Sequence, residues 1–262
     1  MFGMDEAEIV ARLRAAGSVF AEDEASIILG SAPTPDELET MLVRRVAGEP
    51  LEVVVGWAEF CGQRILVDPG VFVPRVRTGV LVREGLRGLE PGSVVVDLCC
   101  GTGAVAVALA ARLPGLELYA ADIEPVAVAC ARRNVEPLGG TVLAGDLLDA
   151  LPTTLRGRVD LLVVNAPYVP TDAIALMPPE ARDHEPRVAL DGGTDGVDLH
   201  RRVSAAAGDW LAPGGRLLVE TSVRQAALTA AAFRGGGLVP RAVRDEDLDG
   251  TAVVGGRGVG GA

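Results

Sequence analysis

The chain has 262 residues, enough to bury one sizeable core and a smaller satellite. Its 36 acidic against 24 basic residues leave a formal charge of −12, which repels polyanions and argues against a dedicated DNA or RNA binder. Charges interrupt every apolar run well short of a bilayer-spanning length. Four cysteines without CxxC spacing, far from the only two histidines, His184 and His200, argue against a metal centre.

Met1 to Glu8 is acidic and carries no basic-then-apolar leader pattern, so the protein is expected in the cytoplasm. Over the first 50 residues, Ile9, Leu13 and the Val19-Phe20 pair, then Ile27, Ile28 and Leu29, then Leu38, Met41, Leu42 and Val46 recur at helical spacing. Thr34-Pro35-Asp36-Glu37 reads as an N-cap with proline in the first turn, so residues 1–50 are expected to form a small helical domain. Nothing in that block looks catalytic. Residues 51–75 change period: Val53-Val54-Val55, Trp57 and Phe60 face Arg64-Ile65-Leu66-Val67 across Cys61-Gly62-Gln63, which predicts a hairpin linker.

From residue 93 the pattern becomes strand, glycine turn, helix, repeated. Strands are expected over 94–98, 116–121, 141–144, 159–164 and 216–220, with helices over 104–113, 125–134, 199–210 and 223–233. Two short strands follow at 239–243 and 251–254, and the glycine-rich 255–262 reads as a flexible tail. This alternation predicts an α/β domain over 76–254, a parallel sheet with helices on both faces.

Four consecutive strands end in polar or glycine signals: Gly101-Thr102-Gly103, Asp122, Asp146 and Asn165. Each has a plain reading, since glycine turns, helix-capping aspartates and strand-ending asparagines are common. At successive carboxyl ends of a parallel sheet, together they favour a nucleoside-containing cofactor. The six-residue dinucleotide fingerprint is absent, because Val105 and Ala106 stand where its third glycine would be.

With these motifs the chain resembles the release-factor glutamine methyltransferase family over nearly its whole length. The likeness rests on residues 44–50 and 56–62, on Val73-Pro74-Arg75, on 97–103, and on the segment from His184 through Leu190 to Gly193. Asn165-Ala166-Pro167-Tyr168 resembles the family's Asn-Pro-Pro-Tyr. The resemblance implies a Rossmann-like class I methyltransferase sheet of seven strands and S-adenosyl-L-methionine as cofactor. It implies cofactor contacts at Asp97, Cys99, Gly101, Thr102 and Gly103, at Asp122 and Ile123 on the ribose side, at Asp146 and Leu147 on the adenine side, and at Asn165. It places the catalytic tetrapeptide at Asn165, Ala166, Pro167 and Tyr168, with no metal. The implied partner is a protein with an exposed glutamine loop, a peptide-chain release factor being the family's substrate, docked on residues 1–50.

The chain also departs from the family. Ala166 replaces a proline, Cys99 stands where glycine is common, and Val76-Arg77-Thr78-Gly79 lacks the proline and both acids of the family's Pro-acid-Thr-Glu. A divergent paralogue fits these changes, and two rivals stay open. One is an amino-methyltransferase acting on a small molecule or nucleobase; the other is a cofactor-binding paralogue without catalysis.

Overall fold

The capping signals sit where helices begin. The computed structural model describes residues 5–257. Helix α1 (Glu6–Ala15) starts after Asp5, whose carboxylate accepts the Glu8 N–H at 2.8 Å. Helix α2 (Ala21–Ser31) follows, and α3 (Pro35–Val46) starts after Thr34, with proline in its first turn. Ile9, Leu13, Ile28 and Leu42 form a core of their own. Arg45 ties α3 to α2 through two 2.8 Å bonds to Glu24, both side chains being largely buried. Losing either partner would leave the other charge uncompensated away from water.

The hairpin differs from expectation in extent and in role. Val53, Val54 and Val55 lie in a short helix, α4 (Leu51–Val55), rather than in a strand. Leu51 and Val55 pack on the helical core, and that packing overrides the β-preference of three consecutive valines. Strands β1 (Trp57–Phe60) and β2 (Gln63–Leu66) pair antiparallel around Cys61-Gly62. Phe60 and Ile65 join the larger domain's core, and Asn134 clasps both the N–H and the carbonyl of Leu66, at 2.9 and 3.0 Å. The hairpin is thus packed into the larger domain.

A 3-10 turn (Val76–Thr78) and α5 (Gly79–Gly85) lead into the alternating unit. It comprises β3 (Val94–Leu98), α6 (Ala104–Arg112), β4 (Glu117–Asp122), α7 (Pro125–Val135), β5 (Thr141–Ala144) and β6 (Val159–Val164). Then come α8 (Pro179–His184), α9 (Asp198–Trp210), β7 (Leu211–Glu220), α10 (Ala226–Gly235), β8 (Leu238–Asp245) and β9 (Gly250–Arg257). The sheet order is β5-β4-β3-β6-β7-β9-β8, parallel from β5 to β7, with β9 antiparallel to both its neighbours. This is the seven-stranded Rossmann-like arrangement expected.

Several boundaries move. β7 begins at Leu211, not at 216, because Leu211 pairs with Val159 before a register shift brings Arg216 opposite Leu161. The last two strands are longer, pairing from Leu238 with Arg257 to Asp245 with Gly250. Gly255, Gly256 and Arg257 of the expected tail therefore belong to β9, and 258–262 lie outside the described residues. Ladder pairing along β8 overrides the poor strand preference of glycine.

Successive strand residues face opposite sides of the sheet. Val95, Leu161 and Leu218 pack toward α5 and α6, while Val96, Leu162 and Leu217 pack toward α9 and α10. Within the second layer His200 is fully buried, with Nδ1 3.0 Å from Thr229 Oγ1. Burial pushes His200 down to about 4, so its ring is neutral at physiological pH.

The folded value lies below the ordinary 6.5, so His200 contributes stability above pH 6.5 that is lost as pH falls toward 4. Lowering the pH from about 7.5 to about 5 is expected to shift the urea midpoint of the native protein further than that of His200→Leu. Equal shifts would show that another group carries the acid sensitivity.

Candidate active site

Parallel pairing sets Leu98 of β3 opposite Val164 of β6, so the chain leaves both strands side by side at Cys99 and Asn165. The strand order reverses here, which is where open α/β sheets bind ligands. A cavity of about 1160 Å³ opens at this point. That exceeds the ~300–1,000 Å³ typical of a pocket for one ligand, leaving room for a cofactor and a second reactant.

On one side lies the loop after β3. Asp97 is buried, and its Oδ2 accepts the Ala106 N–H at 3.1 Å in the first turn of α6. Burial, reinforced by the nearby Asp122 charge, pushes the Asp97 carboxyl up to about 8. Cys99 and Leu147 both line the cavity with left-handed backbone, at φ 54° and 50°. That conformation costs a residue bearing a Cβ about 1–2 kcal/mol, which explains why glycine suits position 99. Thr102 also lines the cavity, with its carbonyl held by Asn134 Nδ2 at 2.9 Å. Gly103 is not among the walls. A Cβ there would meet Val135 Cγ2 at 2.6 Å, so this glycine serves the contact of α6 with α7.

Asp122 braces the same loop. Its two carboxylate oxygens accept the N–H groups of Gly101 and Glu124 at 2.9 and 3.0 Å. Each oxygen keeps a further lone pair, enough for a ribose diol. Ile123 presents an exposed apolar side chain at the rim, and Asp146 is paired with Arg202 at 2.6 Å. A carboxylate for a diol, a polar edge beside Leu147 and a backbone loop at a helix N-terminus suit an adenosyl cofactor.

The opposite side is built around the tetrapeptide. Asn165 is half-buried, and its Nδ2 lies 3.4 Å from Oγ1 of the buried Thr78, which turns the amide oxygen to the free side. Ala166 is buried, while Pro167 and Tyr168 line the cavity. The Tyr168 hydroxyl donates to Glu220 Oε1 at 3.1 Å and accepts from Arg77 Nε at 3.1 Å. Burial, with the Glu220 charge adding to it, pushes the phenol up to about 12, so it stays protonated. Gln225 holds the Tyr168 carbonyl at 2.7 Å.

The segment after the motif closes over it. Val169 donates to the Leu190 carbonyl at 3.0 Å, and Gly192 donates back to Val169 at 2.9 Å. A Cβ on Gly192 would stand 2.7 Å from the Pro167 carbonyl and 2.8 Å from Tyr168 Cα, so only glycine permits this approach. Arg75 pairs with the buried Glu185 in the same wall.

The sequence reading missed Thr78, Glu220, Gln225 and Arg202. One signal was present: Glu220 is itself the polar end of a strand, as Asp122 is of β4. Thr78 and Gln225 carry no local mark, since their partners lie 87 and 57 positions away.

Comparisons with known proteins bear on the family and the fold. The family described as "Methyltransferase small domain" matches residues 64–177. The chain is 42% identical over 197 residues to a release factor glutamine methyltransferase of Geobacter sulfurreducens, covering 73% of this chain and 68% of that protein. It is 37% identical over 214 residues to a 4-amino-L-phenylalanine/4-methylamino-L-phenylalanine methyltransferase of Streptomyces pristinaespiralis, covering 79% and 73%. The crystal structure of a methyltransferase from Pyrococcus furiosus superposes with a TM-score of 0.56 over 74% of this chain and 90% of that one, at 15% identity.

Two outcomes are expected. Asp122→Ala should weaken S-adenosylmethionine binding by calorimetry about tenfold or more, since it removes a charged acceptor and frees the loop it braces. Unchanged affinity would take Asp122 out of the site. Asp97, protonated in the free protein near neutrality, should also lose its proton when a sulfonium and an ammonium enter the cleft. Binding heats at about pH 7 in buffers of different ionisation enthalpy should then show proton release, on the order of half a proton or more. Heats independent of buffer would count against a cation beside Asp97.

Proposed function

Because the chain belongs to the release factor glutamine methyltransferase family, we propose that it transfers a methyl group from S-adenosylmethionine to the side-chain amide nitrogen of a protein glutamine. The observation that carries this reading is Asn165. Its amide is oriented by Thr78, and its oxygen has no partner among the described residues beside the cofactor loop.

S-adenosylmethionine, when bound, supplies an electrophilic methyl whose leaving group is a neutral thioether. Asp122 would hold the ribose hydroxyls, Asp146 and Leu147 the adenine, and the loop from Cys99 to Thr102 the remainder. An amide nitrogen is a poor nucleophile because its lone pair is delocalised into the carbonyl. Asn165 Oδ1 accepts one of its hydrogens and the Ala166 carbonyl the other, which aims the nitrogen at the methyl. Tyr168 offers a flat face to the planar amide, held in place by Glu220 and Arg77. Orientation of this kind supplies up to about 7 kcal/mol. No strong base is needed, because the nitrogen becomes acidic only after attack and its proton then passes to water. The helical domain over 1–50 docks the protein substrate, and a peptide-chain release factor is the proposed partner.

A second reading, transfer to a primary amine of a small molecule, is favoured by Ala166. In Asn-Pro-Pro-Tyr the first proline would restrain the asparagine backbone, whereas here that restraint falls on Ala166, and the site tolerates a broader acceptor.

Asn165→Ala is expected to lower methyl transfer about a hundredfold or more while leaving S-adenosylmethionine affinity within about twofold. Mass spectrometry of a GGQ-bearing release factor incubated with enzyme and cofactor should place the methyl on glutamine. Methylation of 4-amino-L-phenylalanine with no transfer to protein glutamine would replace the first reading by the second.

A further inference from the structure

Asp97, Asp122 and Asp146, the last paired with Arg202, line the cofactor end of the cavity, and Arg75, paired with Glu185, and Arg77 line its wall with the tetrapeptide. The arginines of the cavity differ in how their terminal nitrogens are used. Arg202 places Nη2 on Asp146 at 2.6 Å, Arg187 places Nη2 on Asp191 at 3.4 Å, and Arg75 places Nη2 on Glu185.

Arg77 is different. It commits only Nε, which lies 3.1 Å from the Tyr168 hydroxyl and 3.3 Å from Glu220 Oε1. Neither terminal nitrogen makes a hydrogen bond among the described residues, yet the side chain lines the cavity and is 45% exposed. Glu220 is 1% exposed and anchors the guanidinium from behind, so the outer edge of the fork is held in place. Arg77 is also next in the chain to Thr78, which orients Asn165. A planar pair of N–H donors on the cavity wall, with Nε fixed on the Tyr168 hydroxyl, matches a carboxylate.

We propose that Arg77 is a specificity-determining residue: its terminal nitrogens bind a carboxylate carried by the methyl acceptor. The carboxylate is either an acidic side chain flanking the acceptor in a peptide or the α-carboxylate of a free amino acid. The proposal rests on the reading that Asn165 holds the acceptor nitrogen. Glu220 and Tyr168 already compensate part of the arginine charge, so the preference for carboxylate over the isosteric carboxamide is modest, about tenfold.

The test uses the full chain saturated with S-adenosylhomocysteine, and it reads binding by calorimetry alongside KM and kcat with S-adenosylmethionine. Two matched pairs serve as probes. The first is the peptide Gly-Gly-Gln-Glu-amide against Gly-Gly-Gln-Gln-amide; the second is 4-amino-L-phenylalanine against its carboxamide.

In one pair the acid is expected to bind about tenfold more tightly than its amide, with the difference in KM rather than kcat. The pair that shows it identifies the source of the carboxylate. Arg77→Met should abolish the preference, Arg77→Lys should keep part of it, and both should leave cofactor affinity within about twofold. A preference that survives in Arg77→Met, or none in the native protein, overturns the proposal. A loss of cofactor affinity in Arg77→Met overturns it too, since Arg77 would then hold the cofactor's own carboxylate. If the amine pair is methylated and the glutamine pair is not, the glutamine reading fails while Arg77 is still judged on the amine pair.

Discussion

The parallel register of β3 against β6 fixes where chemistry can occur. With Leu98 opposite Val164, the loop from Cys99 to Thr102 and the tetrapeptide from Asn165 leave the sheet as neighbours. A slip of one residue would turn every side chain to the opposite face, and the two hydrophobic layers forbid it. The register is therefore held by packing on both faces, which runs up to Ala166 at the edge of the site.

Around that crevice the protein holds several charges out of water, each arranged differently. Asp97 has one backbone donor and is pushed toward its neutral form by burial. Asp122 has two, from the loop it braces. Glu220 shares one oxygen between a phenol and an arginine, and by doing so fixes the ring of Tyr168 and the fork of Arg77 together. Left-handed backbone at Cys99 and Leu147 adds strain at the same place, which is where strain collects when a backbone must follow a ligand's shape. The cofactor end is thus carboxylate-lined and tightly braced, while the acceptor end is built from an amide, a phenol and arginine.

The long connection after β6 completes the enclosure. Leu190 to Gly193 lies against Val169, just past the tetrapeptide, and Gly192 makes that approach possible by having no side chain. The segment adds walls to the cavity, among them Pro186, Leu190 and Gly192. His200, the one fully buried histidine, sits in the layer beneath α10 and bonds to Thr229. Transfer from a sulfonium to an amide nitrogen asks for orientation before basicity, because the leaving group is a neutral thioether.

The sequence by itself determined the alternation of strands and helices, the capped helical domain and the polar strand ends at Gly101, Asp122, Asp146 and Asn165. These are local patterns, written within one element and the turn that follows it. Only the tertiary structure decided that Val53 to Val55 coil into a helix, that β7 begins at Leu211, and that Gly103 serves packing rather than the cavity. It alone brought Thr78 to Asn165 across 87 positions and Glu220 to Tyr168 across 52. A hydrogen bond between side chains so far apart leaves no period or spacing in the chain. It forms only because the sheet, held by burial on both faces, carries the ends of β6 and β7 and the turn before α5 to one rim.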